Sequence, residues 1–429
     1  MEENGIIEEV IDEDFFTDKT GDDEKKESEV NFGGMFSFRQ IGSVAKYVEP
    51  INGSTSIETL AQMFKDDPSL TAVPIEEYDR VIGVLDRNTV VENTSTAFKR
   101  FMGKDAASYV KRNLNILYAG DFIEKKLAAI SEISRKEGII YFPVFNNRSF
   151  FGIVSLDDFL ERISDMREQD MEKARVVQQN LLPKSDALKN APFELTIWNK
   201  MANQVGGDFY AAEQLSDTLY VGACFDVSGK NFSAALLTVA IGSFFAGLKH
   251  KLIKAEGCRR LTSVLDAYLK EIVPVGSFVT CTLCFVDTSN KSVIIQNCAH
   301  TPVYVFAPKD TGGIKKTLLA SVAPTLPPLG LGDVKAILDA QEKDGVPQKK
   351  TSVAFAYTKG MHINIYSDGI TDMQNIDGIR YDEQRTKRFF TDLYKKDIGE
   401  LNSFAEKTVN DWLQEAMQND DITILDIRF

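Results

Sequence analysis

The sequence predicts an α+β protein in three parts: a repetitive α/β module, a long connecting helix, and a larger half of short antiparallel strands with grouped helices. Three observations lead there. Between Ile41 and Ser164 the order helix, buried strand, turn, strand, helix occurs twice. From Leu156 to Leu182 the chain contains neither Gly nor Pro, and it then meets Pro183. From Phe193 onward, short alternating runs are separated by tight-turn residues, with helices grouped rather than alternating with strands.

Composition narrows the function classes. A chain of 429 residues suits two or three domains at roughly 100–200 residues each. The net charge is −14, but residues 1–30 hold 13 acids and 3 lysines, a net of −10, which leaves −4 for the rest. Residues 1–31, apolar-poor and aperiodic, are expected to be a disordered acidic leader. The acidic balance argues against phosphate-neutralising nucleic-acid binding. No basic segment precedes an apolar one at the N-terminus, so no signal peptide is expected. The most apolar run, Ala234–Leu248, has 15 residues against the ~20 of a membrane span, and reads as a buried helix. Five cysteines (Cys224, Cys258, Cys281, Cys284, Cys298) in apolar surroundings suit free thiols in a reducing cytoplasm. Cys281 and Cys284 lie within one strand pattern, where positions i and i+3 face opposite ways, so a metal or redox pair is not expected.

In the first copy of the repeat, Ile57, Leu60, Ala61 and Phe64 mark a helix, followed by strands over Leu70–Pro74 and Arg80–Leu85. The second has a helix over Ile123–Ile133, strands over Ile139–Val144 and Ser149–Val154, and Leu156–Leu160 opening the next helix. A repeat of about 50–60 residues suggests two copies packed together. This order resembles a CBS domain pair (Bateman module) over residues 32–164. Gly152-Ile-Val-Ser155-Leu-Asp-Asp158 looks like the family's Gly-x-x-Ser/Thr-x-x-Asp signature. The resemblance implies an adenine-nucleotide site with Ser155 and Asp158 at the ribose. The first copy reads Gly83-Val-Leu-Asp86-Arg-Asn-Thr89, without that signature, and a dimerisation or relay role without ligand stands as the alternative.

Residues 156–182 predict one helix of about 25 residues, some 40 Å long at 1.5 Å per residue. Ile163, Met166, Ala174, Val177 and Leu181 would seat a partner helix, with Asp170 and Lys173 interrupting the seam, so a homodimer is the expected assembly. Beyond it, strands are expected over Glu194–Lys200, Thr218–Phe225, Phe278–Val286, Ser292–Cys298, Val303–Phe306, Val353–Ala356, His362–Tyr366 and Ile422–Ile427, and helices over Ala234–Lys251, Cys258–Ile272 and Leu401–Met417.

Four acidic turns stand out: Gly206-Gly-Asp208, Asp226-Val-Ser-Gly229, Ser367-Asp368-Gly369 and Asp420-Asp421. A hairpin centred on Asp217 pairs residues whose numbers total 434, which sets Asp208 opposite Asp226. Like charges there destabilise the ladder, and a divalent cation between them reverses the sign. Oxygen donors without His or Cys nearby point to Mg²⁺ or Mn²⁺. Convergence of all four turns would make a two-metal phosphoryl-transfer site; ordinary Asp-Gly turn chemistry is the bland reading of any one alone.

The strings Val205-Gly-Gly-Asp-Phe-Tyr210, Asp226-Val-Ser-Gly-Lys230, Asn297-Cys-Ala-His-Thr-Pro302, Pro327-Pro-Leu-Gly-Leu331, Tyr366-Ser-Asp-Gly-Ile-Thr371 and Asp420-Asp-Ile-Thr-Ile-Leu425, led by Gln178-Gln-Asn-Leu-Leu-Pro183, resemble the metal-dependent protein phosphatases (PPM, type 2C) of the bacterial SpoIIE/RsbU-like branch. That resemblance implies, for residues 183–429, an αββα sandwich of two antiparallel sheets. By motif, Asp226 would bridge two ions, Asp208 and the Val227 carbonyl would complete one site, Asp368 and Asp420 the other, and Asp421 would support them. Water would attack phosphorus in line, without a covalent phosphoenzyme. Three positions depart from the family: Asn231 in the Gly-Lys/His-Gly run, Ala211 in place of an Asp, and Cys298-Ala299 within Asn-Ala-Gly-His. His300 is more often structural than a general acid. The expected function is a cytoplasmic phosphatase acting on phosphoserine or phosphothreonine of a bacterial signalling protein, by family analogy a STAS-type anti-sigma-factor antagonist, with no membrane partner and regulation by the CBS pair. A catalytically weak or inactive scaffold that binds a phosphoprotein or adenine nucleotide is the rival.

Overall fold

The computed structural model describes residues 35–96, 99, 104–112, 117–184, 188–229, 232–250, 257–311, 314–343 and 351–429. The acidic leader and the Lys230-Asn231 pair lie outside these. The chain divides into two compact units, one ending at Arg167 and one beginning at Glu168.

The N-terminal unit runs β1 (Ile51–Asn52), α1 (Ile57–Asp66), β2 (Ala72–Glu77), β3 (Arg80–Asp86), α2 (Arg87–Thr94), then β4 (Leu117–Tyr118), α3 (Ile123–Glu137), β5 (Tyr141–Asn146), β6 (Ser149–Ser155) and the start of α4 (Leu156–Leu181), whose residues from Glu168 on belong to the C-terminal unit. Each half has a three-stranded sheet in which the first strand is parallel to the second and the second antiparallel to the third. The halves match in detail. Their ladders shift register at Ile75/Glu76 and Val144/Phe145, directly after Pro74 and Pro143, and the turn residues Tyr78 and Asn147 both adopt positive φ (51° and 55°). Gly83 and Gly152, Asp86 and Ser155, and Thr89 and Asp158 are each 69 residues apart. The expected period of 50–60 residues is therefore too short, because a connection from Ser95 to Ile116 is interposed between the halves. Each half encloses its own core, one built on Ile57, Leu60, Phe64, Ile75 and Leu85, the other on Ile123, Ile130, Phe142, Val144 and Phe159.

The C-terminal unit contains β7 (Glu194–Lys200), β8 (Asp208–Gln214), β9 (Leu219–Val227), α5 (Phe232–Lys249), α6 (Cys258–Ile272), β10 (Val279–Asp287), β11 (Ser292–Cys298), β12 (Val303–Thr311), β13 (Ile314–Val322), α7 (Val334–Lys343), β14 (Val353–Ala356), β15 (His362–Tyr366), α8 (Gly369–Asp372), α9 (Asp382–Leu393), α10 (Leu401–Leu413) and β16 (Ile422–Arg428). Two five-stranded sheets form, in the orders β14-β11-β10-β9-β8 and β13-β12-β15-β16-β7, and neighbouring strands within each are antiparallel. Sequence reading does not anticipate β13, α7, α8 or α9, and gives β8 only as the partner of β9 in the hairpin. Helix α10 ends at Leu413 rather than Met417, where Gln414 turns to positive φ.

Strand alternation sorts side chains between the layers. Cys224, Cys284 and Val293 of the first sheet meet Val305, Ile363, Ile365 and Leu425 of the second in a shared core. Phe209, Phe225 and Cys281 point the other way, under α5 and α6, while α9 and α10 cover the outer face of the second sheet. Cys281 and Cys284 thus occupy opposite faces, and Cys224, Cys281, Cys284 and Cys298 are buried free thiols. Helix α5 is three residues longer than the apolar run that marks it, and at 18 residues it is long and apolar enough to cross a membrane by length and composition alone. Here its Leu237, Ile241, Phe244 and Phe245 are packed into the protein core, with Phe245 edge-on to Phe225 at 5.6 Å. Phe245→Ala is expected to lower unfolding free energy by about 3–5 kcal/mol and Leu236→Ala, whose side chain is exposed, by no more than about 0.5 kcal/mol; urea unfolding reads both, and equal effects would contradict this packing.

Candidate active site

The β8–β9 hairpin has the register expected of it, with Asp208 directly opposite Asp226. The Val227 N–H donates to the Gly207 carbonyl at 3.1 Å. Residues 207 and 227 are therefore the hydrogen-bonded rung, and the next pair is the closer, non-hydrogen-bonded kind, with Cα atoms roughly 4.5 Å apart. Asp208 and Asp226 share the face of Cys224, so they sit where the core between the sheets reaches its end.

The second sheet closes over that end. Thr423 donates its hydroxyl to Asp208 Oδ2 at 2.6 Å and accepts from Asn199 Nδ2 at 2.9 Å. Ser367, after β15, donates N–H to the Thr423 carbonyl, and its Oγ accepts from the Thr423 N–H at 2.9 Å. Asp421 is buried and takes the N–H groups of Ala202 and Gly207 at 2.7 Å each, and that of Asp208 at 3.4 Å. Turning the Gly207 N–H toward Asp421 removes it from the Val227 carbonyl. Glycine is required twice here: a Cβ at Gly206 would strike the Asp421 carboxylate, and one at Gly369 the Asp421 carbonyl.

Electrostatics mark the same place. Burial pushes the Asp208 carboxyl well above its usual range, reinforced by Asp226 and Asp421 and opposed by the Ser367 and Thr423 hydroxyls. Burial also raises Asp421, against the pull of its three N–H donors. The Cys224 thiol, raised first by burial, is raised further by the charges of Asp208, Asp226 and Asp368. Asp368 is half-buried, and its carbonyl accepts from Thr371 and Asp372. Asp420 is half-buried, and its Oδ1 accepts from the Asp421 N–H at 3.0 Å.

A facing pair of carboxylates, hydroxyls and a carbonyl relieved of its ladder donor fits a hard divalent cation such as Mg²⁺ or Mn²⁺. Among the described residues no three His, Cys, Asp or Glu side chains already stand close enough to enclose an ion. The structure brings Asp208 and Asp226 together and leaves Asp368 and Asp420 beside them without closing a cage.

Of the departures, Ala211 lies under the helices, on the face away from Asp208, and Asn231 lies outside the described residues. Ala299 occupies a left-handed conformation (φ 55°) where glycine is favoured. It carries a strain of roughly 1–2 kcal/mol. His300 is buried, its Nδ1 paired with the Thr280 hydroxyl at 2.9 Å and its N–H donating to Asn297 Oδ1. Its Nε2 meets no hydrogen-bond partner within ordinary bonding distance among the described residues.

In the N-terminal unit, Ser155 and Asp158 cap α4 reciprocally. The Asp158 N–H donates to Ser155 Oγ, while Asp158 Oδ2 takes the Ser155 N–H and hydroxyl. Its other oxygen meets Lys46 Nζ at 3.2 Å. The first half uses the same cap with the residue types exchanged: Asp86 accepts from the Thr89 N–H at 3.0 Å and hydroxyl at 2.7 Å. A small cleft of about 70 Å³ lies beside Asp86, Thr89, Tyr109, Lys111 and Tyr141, at the first half's cap.

Burial pushes His300 down to about 4, against a smaller opposing pull from the Tyr366 backbone, so it is neutral at pH 7 and is not poised to donate a proton. A histidine lowered on folding contributes stability that is present above the unfolded value near 6.5 and is lost as pH falls toward 4, an amount of about 3 kcal/mol. His362, also pushed to about 4, by burial and then Arg428, adds a similar slope. In chelator-treated protein, His300→Gln should therefore make stability fall less steeply between pH 6.5 and 4; an unchanged slope would show that His300 titrates normally when folded.

With this geometry established, residues 217–429 match the family described as Stage II sporulation protein E (SpoIIE). Phosphoserine phosphatase RsbP of Bacillus subtilis (strain 168) is 22% identical over 206 residues, 48% of this chain and 46% of RsbP. The chain thus spans about half the length of that curated relative. Among solved structures, the SiaA-PP2C domain of Pseudomonas aeruginosa gives a TM-score of 0.49 at 17% identity, over 62% of this chain and 98% of that one. The PP2C phosphatase domain of SpoIIE from Bacillus subtilis, with a fragment of its regulatory domain, gives 0.39 at 15% identity, over 55% and 63%. The C-terminal unit of this chain is thus similar to the SpoIIE family over residues 217–429, just under half of the chain's length.

Proposed function

We propose that the C-terminal unit is a metal-dependent phosphatase that hydrolyses phosphoserine or phosphothreonine on a signalling protein, a STAS-type anti-sigma-factor antagonist being the substrate class suggested by the family. The observation that carries this reading is the Asp208–Asp226 pair held face to face at the end of the shared core. In it, Asp208, Asp226 and the Val227 carbonyl, with Asp368 and Asp420, hold two Mn²⁺ or Mg²⁺ ions. Bound there, such ions neutralise phosphoryl charge and make water a stronger nucleophile. The chain's own part is positional. Thr423 keeps a hydroxyl proton on Asp208 Oδ2 and so favours its ionised form, while Asp421 fixes the Gly207 and Asp208 amides.

The N-terminal unit is proposed as a CBS-type regulatory pair that binds an adenine nucleotide, with α4 as the element that passes the signal on; a homodimer would not use the seam expected of α4, because Ile163 and Met166 are buried in the second half's own core and Leu181 packs beside Gly242. The unit's symmetric halves support the regulatory reading, and buried free thiols accord with a cytoplasmic setting. The rival, a phosphatase-like scaffold without turnover, draws on the same open arrangement of acids.

Two experiments decide. With Mn²⁺, the purified chain should hydrolyse an aryl phosphate, and Asp226→Asn should lower turnover by at least about a hundredfold, since even residues supporting a metal ligand are worth roughly 10–100-fold. Equal turnover in the variant defeats the metal assignment, and a chain that takes up no Mn²⁺ in a titration favours the scaffold. Calorimetry with AMP, ADP and ATP should show saturable binding to the whole chain that Asp158→Ala weakens; no heat with any of the three would leave the N-terminal unit an interaction module.

A further inference from the structure

The glycine turn before Asp208 is gripped from two sides, and only one of them belongs to the acidic cluster. On the other stands Gln178 of α4, almost wholly buried (1% exposed) on a helix whose neighbouring residues Val177 and Gln179 are exposed. Its Oε1 accepts the Gly206 N–H at 3.2 Å, and its Nε2 donates to the Gly206 carbonyl at 2.8 Å. The second Nε2 proton goes to Thr238 Oγ1 at 2.6 Å, whose own hydroxyl donates to the Ala235 carbonyl at 2.7 Å.

Every donor and acceptor in this set is matched, and that fixes the amide orientation. Both amide protons have acceptors, the Thr238 hydroxyl proton is committed to Ala235, and Gly206 N–H meets the only acceptor Gln178 offers. One turn further along α4, Leu181 lies where a Cβ on Gly242 of α5 would press on it, with Phe209 alongside. Gln178 therefore does for Gly206 what a neighbouring strand would do: it takes both backbone groups of a residue lying outside the β8 ladder.

We infer that Gln178 is a positioning residue for Asp208. It holds the Gly206 peptide so that the Gly207 N–H reaches Asp421 and β8 starts with Asp208 facing Asp226. The inference deepens the phosphatase reading, because its consequence is metal affinity on the Asp208 side. The clamp itself is a property of the fold and does not depend on turnover.

The test uses the full chain and two variants, Gln178→Met, which keeps the length and loses the bonds, and Gln178→Glu, which keeps the acceptor and loses the donor. Mn²⁺ affinity by calorimetry should fall roughly 10–100-fold in whichever variant folds, and hydrogen exchange at the amides of residues 206–208 should quicken while the α5 core stays protected. Thr238→Val leaves both Gly206 bonds in place and should change either reading by less than about threefold. Wild-type affinity and exchange in both Gln178 variants would overturn the inference. So would a loss in Thr238→Val equal to that in Gln178→Met, since packing against α5 would then be the cause. If wild type exchanges slowly at 206–208 and the Gln178 variants do not, while no protein hydrolyses phosphate, the clamp stands and the phosphatase reading falls.

Discussion

Two carboxylates facing each other across one rung of an antiparallel ladder govern this molecule. At about 5 Å and an effective dielectric near 20, their repulsion is about 3 kcal/mol, comparable to the loss of a buried side chain. The Asp208–Asp226 register nonetheless persists, because the rest of the hairpin is fixed by burial: Phe209, Ala211, Phe225 and Val227 all point under the helices. A slip by one residue would turn that apolar set toward the other sheet. The strand pattern holds the acids together, and the acids then require hydroxyls, amides or a cation.

Those requirements account for the surroundings. Thr423 and Ser367 come from the second sheet and raise no charge of their own, so they relieve Asp208 without neutralising it. Asp421 adds negative charge to the cluster, yet its oxygens are occupied by backbone N–H groups of Ala202, Gly207 and Asp208. It acts as a brace for loops while Asp420 beside it remains half-buried. The two adjacent acids thus divide into an inward structural role and an outward one. The glycines at 206 and 369 follow from the same crowding, because only a residue without Cβ lets the backbone approach Asp421.

Much of this was legible in the sequence because it depends on counting. Strand periodicity and a turn at Asp217 suffice to set Asp208 against Asp226. The burial of α5 likewise follows from its composition together with its length. Other features depend on contacts between distant segments. Gln178 opens the Gln178-Gln-Asn-Leu-Leu-Pro183 lead-in, but that string does not say what it binds; it lies four residues after Ala174 and three before Leu181, on the inward face of α4, and a polar residue on such a face is a signal that it has a buried partner. Strand β13, with Lys315, Lys316 and Thr317, lacks apolar alternation and forms because the edge of β12 is there to pair with. Helix α9 is rich in charge, and its burial rests on Thr386, Phe389, Phe390 and Leu393 alone.

The two N-terminal halves show how a repeat diverges without losing its architecture. Each needs a side-chain acceptor for the N–H groups at the start of its last helix. The second half meets this need with Ser155 and returns Asp158 to the Ser155 N–H, a capping box. The first meets it with Asp86 and places Thr89 at the third position. Both arrangements satisfy the helix, but their charge is distributed differently. Asp158 is committed to Ser155 through one oxygen and to Lys46 through the other, whereas the cap of Asp86 and Thr89 opens on a cleft that also holds Lys111 and two tyrosines. The half that carries the signature thus ties its polar atoms to the cap and to Lys46, contacts that an entering nucleotide would exchange for its own, while the cleft is lined from both halves, by Asp86 and Thr89 of the first and Tyr141 and Pro143 of the second.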